Sequence, residues 1–402
     1  MHRVLILIIA GLFTACSNPS PTAASAGAAA GADNGLRPWP QNENVWSWDG
    51  ETPVLLLGAS NHRAPFLVEE AIDELEYLIK TGGSYVRTTL PASAGLSEVP
   101  FSERFSQMAS GSSWNENYWK KLEEYLSYAA SRSVAVKIEV WDYLGTVASP
   151  WDSSLWNTQL EALPDSIYRR NYFEGEHPFY QTVPASVAYR DELLPVLRMQ
   201  ERFVDKLLAV TGKYRNVIYD VRVPDNMLIP WMVYWGRYLE KAGEATGRTY
   251  NVQLGIEPLR RTNVAAFNQT VLNGGAVAYH PAPPLGGGMN GRALASIRGV
   301  RVLEQHFEFT DLRPAPELLG ENTGRAQAAT DGQGNYAVYL PSAGDVVLSP
   351  DWAEKGPVDV IVVGYLGTQR SELLEPPYED TFRLYTDEEK GGWLLLKPRT
   401  DY

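Results

Sequence analysis

The chain holds a single cysteine, Cys16, among 402 residues. That excludes an internal disulfide and any cysteine-rich metal site. Histidine is scarce as well: five are scattered along the sequence, and no His-Glu-x-x-His spacing gathers them into a metal set. No Gly-x-Ser-x-Gly elbow occurs. Gly286-Gly287-Gly288 is not followed by Lys-Ser or Lys-Thr, so it reads as a flexible turn and not as a phosphate loop. These patterns call for no cofactor and no metal. Basic charge is in deficit: 35 Lys and Arg against 48 Asp and Glu leave a net charge of −13. That argues against nucleic acid or an anionic lipid surface as partner. No apolar run reaches the length of a membrane span.

What is present begins with a short basic start, His2 and Arg3, followed by an apolar run from Val4 to Phe13 broken only by Gly11. Small residues and Cys16 come next. This is the layout of a secretory signal, residues 1–16, with Cys16 where a bacterial lipobox places its lipidated residue. Phe13 stands where Leu is usual. Ordinary cleavage beside Ala15, with Cys16 incidental, is the alternative. The expectation is an exported protein of the bacterial cell envelope, on its periplasmic or outer face, anchored to the membrane through acyl chains on Cys16. Residues 17–35 are mostly Ala, Ser, Gly, Pro and Asn and read as a flexible tether. Beyond it the chain is rich in aromatics, with 12 Trp, 22 Tyr and 11 Phe overall.

From residue 36 to about 320, short β-branched runs alternate with helical patterns. Strands are expected at Pro53 to Ala59, Ser84 to Leu90, Val134 to Trp141, Asn216 to Val223, Asn251 to Glu257 and Gly275 to His280. Helices are expected at Glu69 to Lys80, Asn117 to Ala130, Leu193 to Val210, Trp231 to Gly247 and Arg292 to Glu308. Such alternation implies parallel strands joined by helices, in an open doubly wound sheet or a closed barrel. Polar residues favour the barrel. His62, Arg87, Asp142, Asp225, Glu257 and His280 all fall near or just past a strand's C-terminal end, where a (β/α) barrel builds its site. The fold class is therefore α/β: a (β/α)8-type barrel, complete or reduced, with six strands evident. After Pro314 alternation with Gly and Pro turns takes over, in Asn335 to Leu340, Asp345 to Leu348, Val358 to Val363, Thr381 to Tyr385 and Gly392 to Leu396. Residues 321–402 read as a small antiparallel β-sandwich.

In the third strand, side-chain alternation puts Lys137, Glu139 and Trp141 on one face and Ile138, Val140 and Asp142 on the other. Charges at 137 and 139 in a buried strand imply pairing inside the barrel. Asp142 is the better ligand contact. Arg87 can grip a ligand hydroxyl or carboxylate, or orient a nearby acid. His62 and His280 can bind ligand hydroxyls or serve as satisfied local donors. Trp141 and Tyr279 can form a stacking platform or pack the core. The irregular stretch from Tyr143 to Ala188 carries Trp151, Trp156, Tyr168, Tyr172, Phe173, Phe179 and Tyr180, which either stack on sugars or pin the loop to the barrel.

Several stretches carry a resemblance. They are VKIEVWD (Val136 to Asp142), HPFYQTVP (His177 to Pro184), LRMQERFVDKLL (Leu197 to Leu208) and YRNVIYD (Tyr214 to Asp220). YWGRYLEKAGEATGR (Tyr234 to Arg248), GGAVAYHPAPP (Gly274 to Pro284), ALASIRGVRVLE (Ala293 to Glu304) and NYAVYLPSAGDVVL (Asn335 to Leu348) follow in order. Together they make the chain similar to exported glycoside-hydrolase-like barrel proteins with a C-terminal β-domain described as collagen-binding. The resemblance implies a TIM-type barrel that acts on or binds a polysaccharide or oligosaccharide. In such hydrolases the fourth strand ends in Asn-Glu, the Glu being acid/base. Here Val223 and Pro224 stand at those places, and Asp225 is the nearest carboxylate. The stretch from Gly247 to Gly274 is short for the additional strands the family fits there. Glycosidases need two carboxyl groups flanking the scissile bond. Asp225 and Glu257 are the candidate catalytic pair, with Glu257 placed like a nucleophile if its strand is the seventh. The alternative makes Glu257 a structural partner of Arg260 or Arg261. A catalytically degenerate, glycan-binding or scaffolding lipoprotein stands beside the hydrolase.

Overall fold

The computed structural model describes residues 35–90, 99–101, 114–142, 156, 177–183, 193–223, 228–256, 264–272, 275–281, 286–320, 326–349, 356–364, 366–376, 382–386 and 392–399. Cys16 and the tether up to residue 34 lie outside them. So do Asp225 and Glu257. Among the described residues, no helix is long and apolar enough to cross a membrane.

The first described elements are three short antiparallel strands, β1 (Arg37–Trp39), β2 (Asn42–Ser47) and β3 (Pro53–Val54). The α/β part then runs β4 (Leu56–Ala59), α1 (Ala71–Lys80), β5 (Tyr85–Thr89), α2 (Glu116–Ser131), β6 (Ala135–Glu139), α3 (Leu194–Thr211), β7 (Val217–Val223), α4 (Ile229–Ala245) and β8 (Asn251–Ile256). It continues with α5 (Val264–Leu272), β9 (Ala276–Tyr279) and α6 (Gly291–Leu303). Five of the six expected strands form, each trimmed by a residue or more, and the expected Pro53 to Ala59 strand divides at Leu55 into β3 and β4, which join different sheets; α5 is not evident in the sequence. Contacts divide the chain into two compact units. One comprises Leu56–Thr262 with Ala278–Asn290; the other comprises Met1–Leu55, Asn263–Val277 and Gly291–Tyr402.

The order of the large sheet is β8-β7-β6-β5-β4-β9. Pairing from β4 through β8 is parallel throughout. Each step in sequence moves one place in the same direction, and the last strand flanks the first, with Ser60 N–H donating to Tyr279 O at 2.8 Å. An open doubly wound sheet reverses direction at a switch point. A barrel does not: its strand order is cyclic. The sheet is thus that of a (β/α) barrel, of which six strands lie among the described residues, β8 and β9 being the two ends of that run. β4 approaches β5 so closely at Gly58 that a Cβ there would overlap the Tyr85 carbonyl oxygen.

Local chemistry explains the elements. Asn115 caps α2, its side chain accepting from Tyr118 N–H at 3.2 Å. The helix buries Tyr118, Trp119, Leu122, Tyr125, Leu126 and Ala129, an i, i+3, i+4, i+7 stripe. After α4, Gly247 takes φ +67 and Arg248 N–H returns to Gly243 O at 2.9 Å. That left-handed stop is the one Gly247 suggests in the sequence. On β5, β6 and β7, Val86, Val136, Ile138, Val221 and Val223 are buried at alternate positions. The residues between them, Arg87, Thr89, Lys137, Glu139, Asp220 and Arg222, form a polar face.

The C-terminal part is β10 (Arg313–Pro314), β11 (Gln327–Thr330), β12 (Tyr336–Leu340), β13 (Gly344–Leu348), β14 (Val358–Val363), β15 (Gln369–Leu374), β16 (Phe382–Thr386) and β17 (Gly392–Pro398). One antiparallel sheet has the order β10-β11-β12-β17-β14-β15; β13 and β16 pair separately. Val338, Leu340, Val346, Leu348, Val358, Val360, Leu394 and Leu396 close the core of this sandwich. On the other face of the larger sheet, Trp393 lies against α6 at Gly299, with ring atoms 3.5 and 3.6 Å from where a Cβ would stand.

Candidate functional site

The polar face of β5, β6 and β7 runs from mid-strand (Arg87, Lys137, Asp220) to the carboxyl ends (Thr89, Glu139, Arg222), the ends where such folds place chemistry. Register organises it. Arg87 is beside Lys137, Thr89 beside Glu139, and Glu139 beside Asp220. Glu139 accepts from Arg87 Nε at 2.9 Å, from Arg87 Nη2, and from the Thr89 hydroxyl at 2.5 Å. Asp220 Oδ2 accepts from Lys137 Nζ at 2.9 Å and also from Arg222 Nε. Lys137 and Glu139 therefore pair with neighbouring strands and not with each other. Two residues along one strand are separated by nearly 7 Å, whereas adjacent strands lie about 4.8 Å apart.

The site calls from the sequence fall in different places. Arg87 is buried and clamped to Glu139. Asp142 is buried and bound by Arg63 Nη2. His280 is buried just past β9 and its electrostatics couple it to Arg87, Glu139 and Arg63. Tyr279 is buried beside it on β9. His62 stands apart, exposed, with Nε2 3.5 Å from Glu74 Oε1. Trp141 leaves the pattern. The chain bends at Val140 and Trp141, so alternation ends with Glu139. The Trp141 ring turns among Trp156, Phe179, Phe203, Trp231 and Trp235, at centroid distances of 5.1–5.8 Å. Of the aromatics expected in the 143–188 stretch, Trp156, Phe179 and Tyr180 are described, and all are buried. The segment around them is tied down by Trp231 Nε1 donating to the Thr182 hydroxyl at 3.2 Å and Gln200 Nε2 donating to Phe179 O at 2.9 Å.

Arg63, Asp220 and Arg222 belong to the cluster and were not singled out from the sequence. The signal for two of them was available: Asp and Arg at alternate positions in the apolar run NVIYDVRV.

Electrostatics follow from the pairing. Burial alone would raise the Glu139 carboxyl, but Arg87, His280, the Thr89 hydroxyl and Lys137 outweigh it and hold it well below the usual range. Burial, reinforced by Arg87, pushes His280 down to about 4, against the opposing pull of Glu139 and a hydrogen bond to the Arg63 backbone. His280 is thus neutral at pH 7. An unfolded chain takes up a proton on this imidazole near pH 6.5, whereas the folded one waits until about 4. Stability from this group is full above pH 6.5 and is lost as pH falls toward 4, in all by about 3 kcal/mol. Urea denaturation at pH 7 and pH 4.5 checks this: His280→Asn should show a smaller acid loss than the parent, and an equal loss would contradict it.

The class defined by fold and site is an α/β protein on a (β/α) barrel, with an ion-paired polar face along three of its strands and an antiparallel sandwich in its C-terminal part. Among solved structures it is similar to a protein described as a glycoside hydrolase, at 10% identity and TM-score 0.49, over 92% of this chain and 98% of that one. It is similar to a glycoside hydrolase family 5 protein from Bacteroides vulgatus, at 11% identity and TM-score 0.49, over 92% and 96% of the two chains. A family 5 mannosidase from Rhizomucor miehei shares 13% identity over 68% of this chain and 69% of its own, with TM-score 0.38. No family profile and no curated protein matches the chain.

Proposed function

We propose that the protein is an exported lipoprotein, anchored to the cell envelope through Cys16, that hydrolyses glycosidic bonds of a polysaccharide or oligosaccharide at the carboxyl end of its barrel strands. Asp225 is the acid/base and Glu257 the nucleophile or the base for water. One observation carries the assignment. β7 and β8 are hydrogen-bonded neighbours, and their last residues, Val223 and Ile256, are register partners. Asp225 follows the first by two residues and Glu257 follows the second by one. Neighbouring strands lie about 4.8 Å apart, and glycosidases hold their two carboxyl groups roughly 5–10 Å apart. On this reading the two acids follow adjacent strand ends and act across that distance, Asp225 reaching the polar face by a turn of the chain after Val223. The described carboxylates of the polar face, Glu139, Asp142 and Asp220, are each engaged by a cation.

A second reading, a catalytically degenerate glycan-binding protein, is favoured by Val223-Pro224 standing where the resembled hydrolases carry Asn-Glu. In both readings residues 36–320 hold the barrel and residues 321–402 an accessory β-module. Release of reducing ends from a broad polysaccharide panel separates the two. Hydrolysis is expected, falling on the order of 10²- to 10⁴-fold in Asp225→Asn and in Glu257→Gln. Retention of a glycan without turnover would select the second reading.

A further inference from the structure

Resting on the glycan reading above, we propose that Arg63 is a substrate contact at the mouth of the barrel, where its guanidinium donates to hydroxyl oxygens of a bound sugar. Arg63 lies four residues past β4 and Asp142 three past β6. Arg63 Nη2 donates to Asp142 Oδ1. Thr89, the last residue of β5, donates its N–H to Arg63 O at 2.6 Å. The side chain thus reaches from the carboxyl end of β4 to that of β6, across the end of β5 between them. Barrels of this class build their sites from such strand ends.

The loop that carries Arg63 is fixed from both sides. Ser60 Oγ donates to His62 O at 2.7 Å, Asn61 Nδ2 donates to Glu74 Oε1 at 2.9 Å, and Asn61 Oδ1 accepts from Met289 N–H at 2.9 Å. The His280 ring bonds the Arg63 backbone, and the Arg63 charge in turn helps hold His280 neutral. The guanidinium therefore belongs to the polar face. It is also open: the Arg63 side chain is 36% exposed, although Asp142 beside it is 1% exposed. The Arg87–Glu139 pair, at 6% and 13%, shows how this face closes an ion pair on both partners. A guanidinium carries five N–H donors. Among the described residues Asp142 is the only side chain that the Arg63 guanidinium bonds, and its Nε is buried without a hydrogen-bond partner. Donors thus remain for a ligand on a group already immobilised by a buried carboxylate. Binding then orders little that was free, which favours affinity. A few fixed polar groups of this kind set orientation and specificity in a ligand site.

The test uses the full-length protein in neutral detergent with three uncharged probes that resist cleavage: thio-linked oligosaccharides of mannan, xylan and β-glucan. Calorimetric titration should show binding of at least one. Arg63→Lys keeps a cation for Asp142 but loses the planar fork. Its affinity for that probe should fall at least about tenfold, while its urea midpoint stays close to the parent's. In the wild type, saturating probe should slow modification of Arg63 by p-hydroxyphenylglyoxal several-fold, read by peptide mass spectrometry. Arg132, which precedes β6 at the opposite strand end, should react at an unchanged rate. The protection measurement stands on its own if Arg63→Lys fails to fold. Parent affinity in a folded Arg63→Lys, or equal modification of Arg63 with and without probe, overturns the inference and leaves the glycan reading intact. No binding of any of the three by the wild type overturns both.

Discussion

Glu139→Ala is expected to destabilise the protein by about 3–5 kcal/mol, the cost of removing one partner from a buried ion pair and stranding the other. The partner is Arg87, whose side chain is 6% exposed and whose Nε and Nη2 both donate to Glu139. Losing the carboxylate also leaves the Thr89 hydroxyl without its acceptor and removes an anion whose field acts on Lys137. Glu139→Gln keeps the shape and one acceptor oxygen, so it should cost less. The double replacement Arg87→Met/Glu139→Leu should recover much of the loss, because an apolar pair of similar volume leaves no stranded charge. Urea denaturation of the three variants measures all of this. Glu139→Ala within 1 kcal/mol of the parent would mean the face is hydrated and the pairs loose.

Trp141→Ala carries the second large effect. The ring is 4% exposed and touches five other aromatic rings. Truncating a buried Trp opens a cavity costing about 3–5 kcal/mol. The cluster links the end of β6 to Phe203 on α3 and to Trp231 and Trp235 on α4, so near-ultraviolet circular dichroism should change with stability. If Trp141 instead offered a face to sugars, Trp141→Ala would weaken glycan retention while leaving the denaturation midpoint in place. That outcome would contradict the packing described above.

Much of the fold was legible because parallel strands covered on both sides read as β-branched apolar runs, as VAVKIEVW and NVIYDVRV do. The strand order was not legible, since pairing is set by tertiary packing and leaves no local trace. The helix at Val264–Leu272 escaped notice inside a stretch that also holds a strand and a turn. β15, QRSELL, escaped because it is an edge strand whose side chains alternate between exposed and half-buried, the polar dress that protects edges from further pairing. Within the site, alternation placed Lys137 and Glu139 inside, but partner choice depends on register across strands. Arg87 and Asp220 are distant in sequence from the residues they bind. Trp141 shows the opposite failure: alternation was extended two residues past the true strand end, where a bend redirected the side chain.

The most direct test of the functional account is a paired measurement on one oligosaccharide with the double variant Asp225→Asn/Glu257→Gln. The account predicts that binding persists near the parent affinity while turnover disappears. Turnover at the parent rate in that variant would contradict it.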